Sequence, residues 1–248
     1  MDDQYDLLSR FYRELITTSG HLKNEQDAIL NIISKLNLTH NNKILDAACG
    51  TGDALHFLFH NGYTNLSGLD FSKKMIEEAM SILPNIQYYY ANWNSLIPKV
   101  GFENQFDLIL VISVSILHIG SISELETAFC SFQGILRENG TLVIDNRKWQ
   151  NGENGLVEKD REENRSNHIC KSNIAGVEYN ISDRCHYYGD KQVVEYEIKS
   201  DNSKQTANVS YLRIATSTIV EMLYRIGFRR VTTECYSTWP YELIYAYK

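Results

Sequence analysis

Residues 44–52 read ILDAACGTG and residues 68–72 read GLDFS. Two apolar runs each end on an aspartate, Asp46 and Asp70, and the first passes straight into a glycine turn. Short apolar runs bounded by turn residues are strands, and a glycine turn that opens a helical pattern marks a strand–turn–helix junction. A second strand closing on an acid, 18 residues beyond Gly52, completes a β–α–β unit. Such units build an α/β fold with a doubly wound, mostly parallel sheet, in which ligands lie across the carboxyl ends of the strands. Gly50 and Gly52 let the backbone come close to that ligand, and Asp70 offers acceptors to two ribose hydroxyls.

The acids around the turn limit the ligand. A pyrophosphate dinucleotide wants G-x-G-x-x-G, yet the third position is Leu55, and Asp46 and Asp53 on either side of the turn would repel phosphate. A ligand with a ribose, no phosphate and a positive charge fits better, and S-adenosylmethionine has a ribose, an ammonium and a sulfonium. With Asp46, Gly50 and Gly52 in a D-x-x-x-G-x-G pattern, the chain resembles the class I S-adenosylmethionine-dependent methyltransferases. The resemblance implies a Rossmann-like, seven-stranded, mostly parallel sheet ending in an antiparallel pair.

The rest of the chain can be read in the same terms. Residues 4–17 and 25–36 have helical spacing, with Ile29, Ile32, Ile33 and Leu36 on one face of the second. Residues 1–36 are expected to form a helical lid. Strands are expected at 44–47, 65–70, 86–90, 106–112 and 141–145, with Ser72 capping a helix over 73–82. Ser123 with Glu126, and Thr218 with Glu221, have capping-box spacing and predict helices over 124–137 and 219–226. No helix separates the segments 229–236 and 242–247, so they should pair antiparallel. Residues 148–213 interrupt the alternation. Their first part, 150–168, is polar, and three β-like stretches follow at about 174–188, 192–199 and 205–213, parted by Gly189-Asp190 and Asp201-Asn202. The expectation is one methyltransferase domain over 1–248 with a three-stranded antiparallel cap over the ligand.

Three further segments lie at expected strand ends. Ala91-Asn92-Trp93 offers a ring to stack on an adenine and an amide for its edge; a buried tryptophan and a turn asparagine would read the same way. Ile112 to Ile119 carries His118 where the chain turns above the sheet. Asp145-Asn146-Arg147 sets an arginine where it would grip a carboxylate or pair with Asp145 or the acidic 158–163 stretch. Together with Ala48 to Gly52, these segments resemble the glycine and sarcosine N-methyltransferase group. That likeness implies that Asp46, Ala48, Gly50, Gly52, Asp70, Phe71, Asn92, Trp93, Ile112 and His118 bind the cofactor. It also implies that Arg147 holds an amino-acid carboxylate; His118, by its place at a strand's carboxyl end, and Tyr211, a cap tyrosine with Tyr187, Tyr188 and Tyr196, are the other catalytic candidates. The chain departs from the group at Val114, where the group has an asparagine, and in lacking an arginine over residues 17–26, where His21 or Lys23 would have to substitute.

A net charge of −7 and the absence of any basic run argue against nucleic acid as a partner. No apolar run is long enough to span a membrane. Five cysteines without C-x-x-C spacing suit a reducing, cytoplasmic setting, with Cys49 and Cys130 as core thiols and no metal site. The partner is expected to be a small-molecule acceptor, with homo-oligomer formation left open. The leading expectation is transfer of a methyl group from S-adenosylmethionine to the nitrogen of a small carboxylated amine, yielding S-adenosylhomocysteine. An O-methyltransferase using His118 as base and a non-catalytic cofactor-binding regulator are the alternatives.

Overall fold

The structure, a computed structural model, describes residues 2–96, 105–148 and 161–248. Two helices, α1 (Asp2–Thr18) and α2 (His21–Leu36), precede the sheet. Then come β1 (Ile44–Asp46), α3 (Asp53–His60), β2 (Leu66–Asp70), α4 (Lys73–Ile82), β3 (Gln87–Tyr90), β4 (Phe106–Val111), α5 (Ile122–Ile135) and β5 (Leu136–Asn146). After the cap strands β6 (Arg161–Ile174), β7 (Val177–Tyr188), β8 (Lys191–Ser200) and β9 (Ser203–Leu212), the chain ends with α6 (Thr216–Ile226), β10 (Arg230–Cys235) and β11 (Glu242–Tyr247).

Seven strands form one sheet in the order β10-β11-β5-β4-β1-β2-β3. β1 to β5 pair in parallel, whereas β11 runs antiparallel to both β5 and β10. β1, β2 and β4 are buried at every residue. This is why they read as continuous apolar runs: both faces of a parallel sheet are covered. Successive residues of β4 serve opposite faces. Phe106, Ile109 and Val111 join α1, α5 and α6 in one core, while Leu108 and Leu110 join α2 and α3 in the other. Gly68 is required in β2, because a Cβ there would lie 2.8 Å from Leu55 and Tyr88 atoms.

Ser72 caps α4 as expected, accepting the Met75 N–H. The other two expected caps are displaced. Ser121 caps α5, accepting the Glu124 N–H, and Glu124 in turn accepts the Gly120 N–H. Ser123 is already inside the helix. α6 starts at Thr216 behind Ala215, with no side-chain cap. Thr216 lies instead between the Asn146 amide and Glu242, tying the helix start to β5 and β11. Cys49 is buried, but Cys130 is exposed on the outer side of α5, because the inner face of that helix is Leu125, Ala128, Phe129 and Phe132.

The cap sheet has four strands, not three. The turn between β6 and β7 is Ala175-Gly176, both at positive φ (53° and 82°), and it divides the single stretch expected at 174–188. The polar character of residues 161–169 conceals β6 in the sequence. Residues 149–160 of the polar stretch lie outside the described residues, as does part of the acidic 158–163 segment. The turns at Gly189-Asp190 and Asp201-Asn202 fall where expected. β6 and β9 pack on α1, and β9 meets the short turn of residues 115–118 after β4, so the cap stands over the carboxyl ends of the parallel strands. No helix among the described residues is long and apolar enough to cross a membrane.

Candidate functional site

The glycine turn is built by backbone bonds to its neighbours. Ala47 N–H reaches Leu110 O on β4 and Cys49 N–H reaches Leu69 O on β2, so the turn hangs between two strands. Gly50 (φ 49°) and Gly52 (φ 81°) have left-handed backbones. Their roles differ. A Cβ on Gly52 would come within 2.9 Å of Ala79, so this glycine permits α3 and α4 to pack. A Cβ on Gly50 would meet only Tyr12 Cε1, at 3.7 Å, across the open cavity.

Asp70 ties the floor together. One carboxylate oxygen accepts Gly50 N–H at 3.0 Å and the other accepts Ser72 N–H at 2.8 Å. Burial pushes its carboxyl up to about 6 against those N–H bonds. Asp46 accepts Ala48 N–H at 3.2 Å, and burial pushes it up to about 8.

Above this floor is a cavity of about 560 Å3. Tyr5 and Tyr12 enter it from α1, Arg147 from the end of β5, and Asp183, Tyr196 and Tyr211 from the cap. Phe71, Trp93 and His118 divide it from a side pocket of about 140 Å3 that also contains Asn92. On the other side, Gly50, His21 and Ser113 border an inner pocket of about 30 Å3 containing Asp46, Glu25 and Ile112.

His118, Arg147 and Tyr211 come together in this cavity. The His118 and Tyr211 rings are 4.4 Å apart, and Arg147 Cζ lies 4.2 Å from the Tyr211 centroid. The guanidinium also donates to Gln192 on β8. Asp145 accepts instead from Ser113 and Val114 N–H and from Trp239 Nε1–H, and burial pushes it up to about 7. These bonds hold Ser113 and Val114 at positive φ (64° and 54°), a costly conformation for a β-branched residue. His118 Nδ1 lies 3.2 Å from Ser210 O, and the Tyr5 hydroxyl sits 2.9 Å from Nδ1 and 2.8 Å from Nε2. Burial drops this histidine to about 4. Burial raises the Tyr211 phenol, so it stays protonated near neutrality.

Of the residues expected at the cofactor, Asp46, Ala48, Gly50, Asp70, Phe71, Asn92, Trp93, Ile112 and His118 line one of the three spaces. Gly52 lines none of them. Trp93 is anchored by Nε1–H to Ala47 O at 2.6 Å and packs edge-on against Phe132, while Asn92 accepts Asn94 N–H. His21 reaches the cavity, and Lys23 is not among its lining residues. Arg13, just before the segment searched for an arginine, reaches Asp53 on α3 at 2.8 Å. Sequence reasoning missed Tyr5, Tyr12, Glu25, Ser113 and Asp183. The spacing of Tyr5 and Tyr12, seven residues apart on the helix face that also carries Leu8 and Leu15, was a usable signal; Asp183 on a cap strand carried none.

A family model described as a methyltransferase domain matches residues 38–210. The chain belongs to this family. A putative methyltransferase, YqeM, of Bacillus subtilis is 27% identical over 108 residues, 44% of this chain and 43% of that protein. The glycine N-methyltransferase of Mus musculus is 30% identical over 120 residues (43% and 41%). The ubiquinone/menaquinone biosynthesis C-methyltransferase UbiE of Campylobacter jejuni is 30% identical over 118 residues (45% and 47%). The matched part thus spans less than half the length of these curated relatives. Among solved structures, the S-adenosylmethionine-bound amino pentose methyltransferase CalS10 from Micromonospora echinaspora superposes with a TM-score of 0.71 at 16% identity, covering 96% of both chains. An S-adenosylmethionine-dependent methyltransferase from Clostridium acetobutylicum gives 0.69 at 18% identity, covering 98% and 97%. At such identities the likeness is one of fold. The fold is that of the class I methyltransferases, in agreement with the resemblance carried by the glycine turn.

Proposed function

We propose that this chain binds S-adenosylmethionine across its glycine turn and methylates the nitrogen of a small carboxylated amine of the glycine or sarcosine kind. The residues present suit the cofactor. Gly50 opens toward the cavity, Asp70 has acceptor capacity left for ribose hydroxyls, and the buried acids favour a cationic ligand. The bound cofactor supplies an activated methyl group open to in-line displacement by a neutral nucleophile.

The observation that carries the acceptor reading is Arg147. Its guanidinium faces the cavity, held against Tyr211 and Gln192. A planar fork held in this way is suited to a carboxylate. With the carboxylate fixed there, orientation does most of the catalytic work. The surrounding Tyr5, Tyr12, Tyr196 and Tyr211 exclude water, and a partly apolar wall favours the unprotonated amine that can attack. After transfer the amine nitrogen carries the positive charge and sheds a proton to solvent.

The hydroxyl-acceptor alternative needs a base. His118 suits that task poorly, because burial leaves it weakly basic and the Tyr5 hydroxyl already lies against its ring nitrogens. The test is incubation with methyl-labelled cofactor and a panel of amino acids, amines, phenols and quinols, with products read by mass spectrometry. Methylated amino acids are expected. Products confined to phenols or to ring carbons would overturn the nitrogen reading, and cofactor binding without any product would favour a regulator.

A further inference from the structure

Arg147 is held by a cap residue that does not itself line the cavity. Tyr187 of β7, Gln192 of β8 and Tyr211 of β9 lie directly opposite one another in register, so they share one face of the cap sheet. Gln192, in the middle of that row, is 4% exposed. Its Oε1 accepts from the Arg147 guanidinium, and its Nε2 donates to the Tyr187 hydroxyl at 3.1 Å. Both ends of the amide are used, as burial of an amide requires. The oxygen has to face Arg147, because a guanidinium can only donate.

The row is braced at both ends. Arg213, buried just after β9, donates to Gly189 O at 2.7 Å in the β7–β8 turn, and its Cζ lies 5.6 Å from the centroid of the Tyr187 ring. At the other end, Arg147 Cζ lies 4.2 Å from the centroid of Tyr211. The planar fork is therefore fixed by a hydrogen bond on one side and by a ring face on the other. Its aim into the cavity is set by the cap, and not by β5, which carries it.

The chemistry of the partner matters as much as its position. An acid is the usual match for an arginine removed from water, and a carboxylate takes the fork with two parallel bonds. Position 192 has instead an uncharged amide of the same length as glutamate. A glutamate there would compete with an arriving carboxylate for the same donors. The amide orients the fork without cancelling its charge. Asp145, two residues before Arg147, is turned to Ser113, Val114 and Trp239. The charge is felt around the cavity: burial dominates the pKa of Tyr196, Tyr211, Tyr241, His21 and His118, and behind it Arg147 pulls each of them down.

We propose that Gln192 is a positioning residue that aims Arg147 at the acceptor, and that its neutral amide sets the preference of the site for carboxylated amines over amines that lack the carboxylate. It acts through Arg147 and contributes no surface to the cavity. This rests on the acceptor reading above and carries it to a residue that decides specificity from behind the site.

The experiment is steady-state kinetics on the full chain with a carboxylated amine and its decarboxylated analogue, sarcosine with dimethylamine and glycine with methylamine. The ratio of the two kcat/KM values is the readout. Gln192→Glu keeps the size of the side chain and its reach to Arg147 but adds a charge, whereas Gln192→Leu removes both hydrogen bonds. In Gln192→Glu the ratio should fall about tenfold or more, the scale of one charge-assisted hydrogen bond, through a higher KM for the carboxylated amine. Gln192→Leu should lower the ratio less, by loosening the fork while leaving its charge. A merely structural residue would slow both acceptors alike, so an unchanged ratio in Gln192→Glu overturns the proposal. Should that variant fail to fold, an unchanged ratio in Gln192→Leu is the overturning result. Wild type without a preference for the carboxylated partner would refute the acceptor reading itself, an outcome distinct from a wild-type preference that both variants retain.

Discussion

The two ends of the cavity are made of different material. The floor, where the cofactor is proposed to lie, comes mainly from residues 46–72, within a single β–α–β unit, and presents backbone N–H groups and carboxylates at strand ends. The acceptor wall is assembled from side chains as far apart in sequence as Tyr5, His118, Arg147, Tyr196 and Tyr211. The floor is therefore local and set by backbone geometry, whereas the wall depends on α1, the end of β5 and the cap meeting correctly. A floor of this kind tolerates little change and serves one ligand. A wall made of side chains can be altered residue by residue.

The largest expected effect tests the floor. Gly50→Val places a branched side chain at φ 49° in the approach path between the turn and Tyr12. Binding of S-adenosylhomocysteine should be lost, by more than about 3 kcal/mol when the about 1–2 kcal/mol of left-handed strain is added to the steric block. Calorimetry on the variant, with circular dichroism to show it is folded, checks this. Normal affinity would mean the turn is not the floor of the site.

Arg147→Lys tests the wall. Lysine keeps the charge but loses the fork and the stacking on Tyr211. Catalytic efficiency on carboxylated amines should fall by about 2–5 kcal/mol while cofactor affinity holds. Wild-type turnover by the variant would erase the proposed distinction between the two ends.

A smaller effect separates the ends by pH. Glu25 and Asp46 at the cofactor end, and Asp145 behind the Ser113 turn, have folded-state values of about 7, 8 and 7, above the about 4 of an unfolded carboxyl. Between those values the folded state binds more protons than the unfolded state, so stability falls as pH rises. His118, lowered to about 4, contributes in the opposite sense, but only below about 6.5. The free protein should therefore lose about 3 kcal/mol from pH 6.5 to 8. Thermal melts across that range decide it.

The smallest effect lies in the cap. Ala175 occupies a left-handed position in the β6–β7 turn beside Gly176, and Asn-Gly is the favoured pair for such a two-residue turn. Ala175→Asn should stabilise by about 0.5–1 kcal/mol in denaturant titrations, without changing cofactor affinity. A shift in affinity would show that the cap's far hairpin couples to the floor.

These contrasts also explain what could be read in advance. The strand–turn–helix unit, Asp70 and the Ser72 cap were legible because each rests on contacts between residues close in sequence. β6 was not legible, since its first residues are polar and its turn is Ala-Gly in place of a stronger turn pair. Ser121 took the cap of α5 from Ser123, two residues on, and α6 began at Thr216 without a side-chain cap, where bonds to Asn146 of β5 and Glu242 of β11 fix its start. That Glu25 lines the small pocket beside the glycine turn was not legible, because its helix face is polar at one position only, and what faces that position is set by the packing of α2 on the glycine turn.

By itself the sequence determined the sheet, its ligand floor and the sign of charge that the floor prefers, because hydrophobic periodicity, glycine conformation and acidic strand ends act over short stretches of chain. The tertiary structure alone decided that His118 is a neutral, half-buried ring and that Arg147 rests on Tyr211 and not on Asp145. Those facts depend on desolvation and on contacts across more than a hundred residues, and neither exists until the chain has folded.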